Sequence, residues 1–448
     1  MTFDLIIIGA GPGGYEMAAE AAQHGLEVAV VEKRQLGGTC LNRGCIPTKA
    51  LCRNAEVVGL LREAQKWGLR SAPKDLEVDF AAVMARKDDV VTQLRDGVAQ
   101  LMQAAGVTVI EGEASLADAH TVEVAGELHT AQNIVIATGS APRGLPIEGA
   151  DLAMTSDDIL SLTTLPKSLC IVGGGVIGME FAGVFSSFGV QVTVVEFCKE
   201  ILPPFDKDIA KRLKQVLSKQ GIKIITQAAV KSIARQGDVL AVSYDSKGKE
   251  QTIECETVLM SVGRQPVFPA GLDKVGVTVS RRGIEVDDNM LTNVPGIYAI
   301  GDVNGLCMLA HAATAQGEVA LASILGKKSD IRLDIVPSAV FTTPELSMVG
   351  LTEEQCAERG MNVLVKKAFF RSNGKAVSMG ETDGLVKMIV DADSRQIVGC
   401  HICGAHAADL IQEVVMAMNA GATVQQLARS IHGHPTLTEV VLAAARQF

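Results

Sequence analysis

The sequence predicts an α/β fold of two Rossmann-like halves in tandem, followed by a C-terminal α+β unit. Three observations carry that prediction. A strand–glycine loop–helix–strand unit at the N-terminus recurs in register, with Gly173 lying 164 residues after Gly9. Each half closes on a strand-then-turn pattern, at 133–140 and again at 256–263. Beyond about residue 336 the runs alternate, as in an antiparallel sheet, and helical periodicity follows.

The first copy opens with an apolar run at 5–8, enters the loop Gly9-Ala10-Gly11-Pro12-Gly13-Gly14 and returns through an apolar strand to Glu32. The second passes from Cys170-Ile171-Val172 through Gly173-Gly174-Gly175-Val176-Ile177-Gly178 and ends on Glu196. The same offset pairs Gly11 with Gly175, Gly14 with Gly178 and Glu32 with Glu196. In such a loop the first glycine permits the turn, the second admits a pyrophosphate and the third lets helix and strand pack closely. A carboxylate at the next strand end accepts ribose hydroxyls. Two complete sets imply two dinucleotide sites. After Glu196 come Phe197, Cys198 and Lys199 with no arginine, which favours NAD over its 2′-phosphorylated form.

Between the copies, 49–63 reads as helix, and 81–105 repeats Val83, Val90, Val91, Leu94, Val98 and Leu101 at helical spacing. The Pro/Gly-rich stretch 141–149 and the segment 264–269 read as boundaries. Strands are expected at 363–369, 385–390 and 396–401, and helices from Ala407 and Val424. The expected divisions are 1–142, 143–265, 266–335 and 336–448.

Composition narrows the function. At 448 residues the chain exceeds one core, and 48% hydrophobic with 21% charged residues is globular. A net charge of −10 and 4% aromatic residues disfavour nucleic acid. No apolar run approaches the roughly 20 residues that span a bilayer. Asp4 breaks a signal-peptide pattern. Ten sparse cysteines fit a reducing cytoplasm rather than a disulfide scaffold, so a cytoplasmic protein is expected.

One pair stands apart. In Gly37-Gly38-Thr39-Cys40-Leu41-Asn42-Arg43-Gly44-Cys45-Ile46-Pro47-Thr48-Lys49, Pro47 and the helix formers after it put Cys45 near a helix start. There the dipole stabilises a thiolate. Lys49 follows one turn later on the same face. His434 and Glu439 form a second constellation, five apart, with Pro435 read as starting a helical turn; a carboxylate that orients an imidazole is acid–base logic. Cys400 and Cys403 lie in an alternating run, and a redox or metal role for them is set aside.

The segment 37–49 resembles the active-site signature of the pyridine-nucleotide-disulfide oxidoreductases, in the form found in their dihydrolipoyl dehydrogenase branch. The resemblance covers nearly the whole chain. It takes in both glycine loops, Ala137-Thr138-Gly139, the run from Asn293 to Asp302, Met308-Leu309-Ala310-His311, Thr343-Pro344-Glu345 and His432-Gly433-His434-Pro435-Thr436-Leu437-Thr438-Glu439. It implies an FAD-binding domain at 1–142, an NAD-binding domain at 143–265, a central segment at 266–335 completing the FAD site, and a dimerisation domain at 336–448. Gly9, Gly11, Gly14, Glu32, Gly112, Asp302 and Ala310 would hold FAD, with His311 giving backbone. Lys49 would stand beside the flavin with Glu180 as its carboxylate partner. Gly173, Gly175, Gly178, Glu196, Val230 and Gly263 would hold NAD. His434 and Glu439 would serve the partner protomer of a homodimer. The implied reaction oxidises protein-bound dihydrolipoamide, passing electrons through the Cys40/Cys45 disulfide and FAD to NAD+. The implied partner is the lipoylated domain of a 2-oxo acid dehydrogenase complex or of a glycine cleavage protein. Arg43 departs from the apolar residue many members carry.

Rival readings fit less well. Glutathione reductase would want arginines near Glu196, and mercuric reductase a C-terminal cysteine pair. An NADH oxidase or coenzyme A disulfide reductase typically uses one cysteine. A non-catalytic flavoprotein subunit would lack one of Cys40, Cys45, His434 or Glu439, and all four are present.

Overall fold

Four consecutive apolar residues at 5–8 offer no polar face, so their strand must be covered on both sides. The computed structural model describes residues 1–69 and 76–448 and puts strand Thr2–Ile8 in the parallel part of a seven-stranded mixed sheet. Val28–Glu32 and Glu127–Ile136 flank it, with Thr108–Glu111 and Ile297–Ala299 beyond. Alternate residues serve opposite faces. Leu5 and Ile7 pack with Met17 of helix Pro12–Gln23, Val98 of helix Phe80–Ala104 and Val319 of helix Ala310–Ile324. Ile6 and Ile8 pack with Val122, Leu272 and Ile284.

The described residues gather into two compact units. The first comprises Met1–Ala50, Met84–Arg143 and Gly263–Leu333; the second comprises Leu51–Val83, Gly144–Val262 and Asp334–Phe448.

In the second unit a parallel sheet repeats the first in order: Lys223–Thr226, Gln191–Glu196, Ser168–Val172, Thr257–Met260. Its register is the duplicate too, since Val172 pairs with Val195 as Ile8 pairs with Val31. An antiparallel sheet of Ala228–Gln236, Val239–Ser246 and Lys249–Cys255 covers it. Residues 51–83 join this unit through their side chains. Ser187 Oγ donates to the Ala55 carbonyl at 2.8 Å, and the Phe80 ring lies 6.5 and 6.4 Å from those of Phe185 and Phe188.

The C-terminal part is a five-stranded antiparallel sheet in the order Ser338–Val340, Glu345–Gly350, Ile397–Gly404, Leu385–Asp391, Val363–Phe369. Helices Ala407–Asn419, Val424–Arg429 and Glu439–Ala445 pack on it around Val386, Met388, Ile402 and Val440. These elements match the sequence expectation within a few residues. The sheet also buries Lys387 completely, its Nζ 2.8 Å from Asp206, 2.8 Å from Asp208 and 2.7 Å from Glu353. Among the described residues no helix is long and apolar enough to cross a membrane.

Candidate active site

The two glycine loops are built alike. Gly9 and Gly173 take φ values of +110° and +106° and turn the chain out of its strand. Gly14 and Gly178 let the helix close on that turn: a Cβ there would lie 2.0 and 2.1 Å from the carbonyl oxygens of Gly9 and Gly173. A Cβ on Gly11 or Gly175 would instead meet open space. Each of these two glycines precedes a helix of 12 residues whose N-terminus has no side-chain cap, leaving backbone N–H groups for an anion. This cradle fits a dinucleotide pyrophosphate in both halves. Glu32 Oε2 accepts the Ala10 N–H at 2.9 Å and Oε1 that of Arg34 at 2.8 Å. Glu196 repeats the pattern on Gly174 and Cys198 at 2.5 and 2.6 Å. Each carboxylate therefore braces its own loop, a role beyond the ribose contact read from sequence. Phe197 and Lys199, after Glu196, are exposed.

The cysteine segment is seated on the first loop. Gly37 N–H donates to the Ala10 carbonyl at 2.8 Å, and a Cβ on Gly38 would lie 2.5 Å from Gly11 Cα. Cys40 rides the short helix Gly38–Arg43; Gly44 interrupts it, and Cys45 opens helix Cys45–Arg62, as its predicted helix-start position requires. Asn42 fixes the segment, its Nδ2 donating to Leu36 and Gly38 carbonyls at 2.9 Å each. The side chain of Cys40 is hydrogen-bonded to Cys45, and that bond, with burial, pushes the Cys40 thiol up while the Lys49 charge opposes it. Tyr15 is pushed up chiefly by burial, with Glu16 and Cys40 adding to it.

The other residues expected at a flavin lie in the same unit. Asp302 accepts from Ser140 Oγ at 2.5 Å, and Arg264 Nε stands 4.0 Å from it. Gly112 takes φ +146° and donates to the Glu32 carbonyl at 2.9 Å. Ala310 begins helix Ala310–Ile324, whose N-terminus also lacks a side-chain cap. Gln316, missed from sequence, is 2% exposed and accepts from Gly301 N–H and Asn304 Nδ2 at 2.7 and 2.8 Å, which fixes the turn carrying Asp302.

The second unit carries Gly173, Gly175, Gly178, Glu180, Glu196, Val230, His434 and Glu439. Gly263 opens the last segment of the first unit with φ +109°. Val230 packs in the core and its backbone sits at a bulge. Glu180 is 3% exposed and accepts the Phe341 N–H at 3.0 Å.

His434 Nδ1 lies 3.0 Å from Glu439 Oε1, and Glu439 Oε2 accepts the Thr436 N–H at 2.9 Å. Those two bonds, the backbone one foremost, hold the Glu439 carboxyl below its usual range. The imidazole is 77% exposed. Pro435 does not start a helical turn, contrary to the sequence expectation. Residues 434–435 bend, 437–438 form a turn, and the helix begins only at Glu439, whose carboxylate folds back onto the Thr436 N–H and His434. Sequence reasoning also passed over His432. Its ring lies between the Glu413 carboxylate at 2.6 Å and the Ser430 carbonyl at 3.1 Å, anchoring the strand of chain that bears His434. The His-x-His spacing was the available signal. Cys400 and Cys403 are buried in strand Ile397–Gly404, and burial pushes both thiols up to about 12.

Known proteins share this architecture. The family model for pyridine nucleotide-disulphide oxidoreductases matches residues 3–317, and the model for their dimerisation domain matches 336–445. A dihydrolipoyl dehydrogenase of Chlamydia muridarum is 42% identical over 98% of this chain and 95% of its own. That of Geobacillus stearothermophilus is 38% identical over 99% and 95%. The solved structure of the HOCl-induced flavoprotein disulfide reductase RclA from Escherichia coli superposes with a TM-score of 0.88 at 31% identity, covering 99% of both chains. On the glycine loops, the cysteine pair and these full-length matches, the chain belongs to the pyridine nucleotide-disulphide oxidoreductase family.

Proposed function

We propose that the protein oxidises dihydrolipoyl groups to lipoyl groups, with FAD and NAD+ as its cofactors. The observation that carries this reading is the hydrogen-bonded Cys40/Cys45 pair on a segment packed against a dinucleotide loop. Residues 1–142 with 266–335 form the FAD-binding part, 143–265 the NAD-binding part and 336–448 the interface of a homodimer.

The chain's own residues divide the work. With Nδ1 donating to Glu439, His434 presents Nε2 as the base that takes a proton from the dihydrolipoyl thiol. The thiolate attacks Cys40 of the oxidised pair, and a mixed disulfide forms as the Cys45 sulfur leaves. The second substrate thiol then displaces Cys40, completing the lipoyl disulfide and leaving both cysteines reduced. Bound FAD supplies the two-electron relay from this dithiol to NAD+. Gly9, Gly11, Gly14, Glu32, Gly112, Asp302 and Ala310 hold FAD, with Lys49 beside it and Glu180 as the lysine's partner. Gly173, Gly175, Gly178, Glu196, Val230 and Gly263 hold NAD. The exposed His434 serves the cysteine pair of the second protomer, which the match to a dimerisation domain supports. The lipoyl group arrives on the mobile domain of a 2-oxo acid dehydrogenase complex or a glycine cleavage protein, in the cytoplasm.

Purified protein should be yellow and should reduce NAD+ with dihydrolipoamide. Turnover of NADPH with glutathione disulfide, and none with dihydrolipoamide and NAD+, would overturn this reading.

A further inference from the structure

Two other thiols meet in the core of the second glycine-loop half. Cys170 stands mid-strand in Ser168–Val172 with no exposure; Cys255 closes strand Lys249–Cys255 and is 3% exposed. They are 85 residues apart in sequence. The chain leaving Cys255 pairs with the strand that carries Cys170. Thr257, two residues beyond Cys255, is registered on Leu169, and Val258 on Cys170. Glu256 N–H donates to Ser168 Oγ at 3.0 Å, and Lys167 N–H to the Glu256 carboxylate at 2.7 Å. Both cysteines share one apolar cluster with Val172, Leu240, Val242 and Tyr244. Their side chains are hydrogen-bonded to each other, the Cys255 sulfur also receives backbone N–H groups of Cys170 and Thr257, and its own S–H donates to the Leu240 carbonyl at 3.8 Å.

The arrangement is asymmetric. The hydrogen bond from Cys170 favours the thiolate of Cys255 and lowers it, whereas that same bond, with burial, raises Cys170. A nucleophile and a proton-bearing neighbour are thus distinguished. Glu254 and Glu256, on either side of Cys255, are exposed, so this sulfur lies one residue from solvent along the chain.

We propose that Cys170 and Cys255 form a second thiol/disulfide couple, separate from Cys40 and Cys45, that hydrogen peroxide closes. The Cys255 thiol gives up its proton, the thiolate attacks one peroxide oxygen, the O–O bond breaks, and the displaced hydroxide takes that proton and leaves as water, giving a Cys255 sulfenic acid. The Cys170 sulfur attacks the Cys255 sulfur, the S–S bond forms, and the sulfenic oxygen departs as a second water with the Cys170 proton. Two thiols lose two electrons and two protons, and one peroxide becomes two waters. The link fastens strand Ser168–Val172 to the chain entering Thr257–Met260. Those strands run into Gly173 and Gly263, so the root of the second loop is stapled.

The test uses the wild-type holoenzyme. It is exposed to hydrogen peroxide, alkylated in denaturant without reductant, digested and weighed by mass spectrometry. The expected product is a linked peptide joining Cys170 and Cys255, two hydrogens lighter than its separate parts and abolished by dithiothreitol. In Cys170→Ser, dimedone should label Cys255. Recovery of both cysteines singly alkylated, conversion of Cys255 to the sulfinic acid without any link, or an unlabelled Cys255 in Cys170→Ser overturns the proposal.

Discussion

With Nδ1 of His434 engaged by Glu439, the tautomer that remains carries its lone pair on Nε2. Replacing His434 with Gln should therefore lower dihydrolipoamide turnover by about 10²- to 10⁴-fold. The NADH-dependent reduction of the bound flavin, which needs no thiol base, should survive; its loss would show a structural defect instead. Cys45→Ser should keep the yellow colour and the thermal transition, while dihydrolipoamide turnover falls more than roughly 100-fold. At this scale the sequence was legible where chemistry repeats along the chain. Cys40, Cys45, His434 and Glu439 sit in short strings that match a family signature, although their spacing alone does not announce them. Cys170 with Cys255, Gln316 with Asn304, and His432 with Glu413 are partners made by tertiary packing, and no local period marks them.

A glycine loop makes a different kind of prediction, because its members serve geometry of opposite sorts. A methyl at Gly178 would fall 2.1 Å from the Gly173 carbonyl, so Gly178→Ala should push the helix off its strand and cost about 1–3 kcal/mol in urea unfolding. A methyl at Gly175 meets nothing within 4 Å, and the backbone there is extended. Gly175→Ala should leave stability within about 0.5 kcal/mol, yet weaken NADH binding because it fills the pyrophosphate cradle. Equal affinity of the wild type and Gly175→Ala in an NADH titration would remove that loop from the nucleotide site. Elements themselves were well forecast. The alternating runs at 363–369 and 385–390 became strands because each has to bury one or both faces, a demand visible in one dimension. Helix Cys45–Arg62 was also visible, but its passage from one compact unit to the other at residue 50 was not. That passage depends on Ala55 meeting Ser187, a contact across 132 positions.

At the scale of the whole molecule, charge inside the second unit matters more than its surface pairs. Lys387 ties strand Leu385–Asp391 to Asp206 and Asp208 at the start of helix Lys207–Lys219, and to Glu353. Burial works against each ion, and the mutual hydrogen bonds outweigh it, raising Lys387 and holding Asp208 at about 2. Lys387→Met would strand the fully buried Asp206 carboxylate, with a loss of about 3–5 kcal/mol measured by denaturant midpoint. Since Asp208 is depressed from the usual aspartate value of 3.8, its contribution is complete above about pH 4 and disappears as pH falls toward 2. Acid titration of unfolding should show that limb in the wild type and a smaller one in Asp208→Asn. The seating of Gly38 on Gly11 reaches further than placement. One wall serves both the redox segment and the phosphate loop, so emptying the loop should loosen the thiols resting on it. The alkylation rate of the reduced Cys40 would then read out flavin occupancy, making the active-site sulfur a built-in gauge of how much of a preparation is loaded.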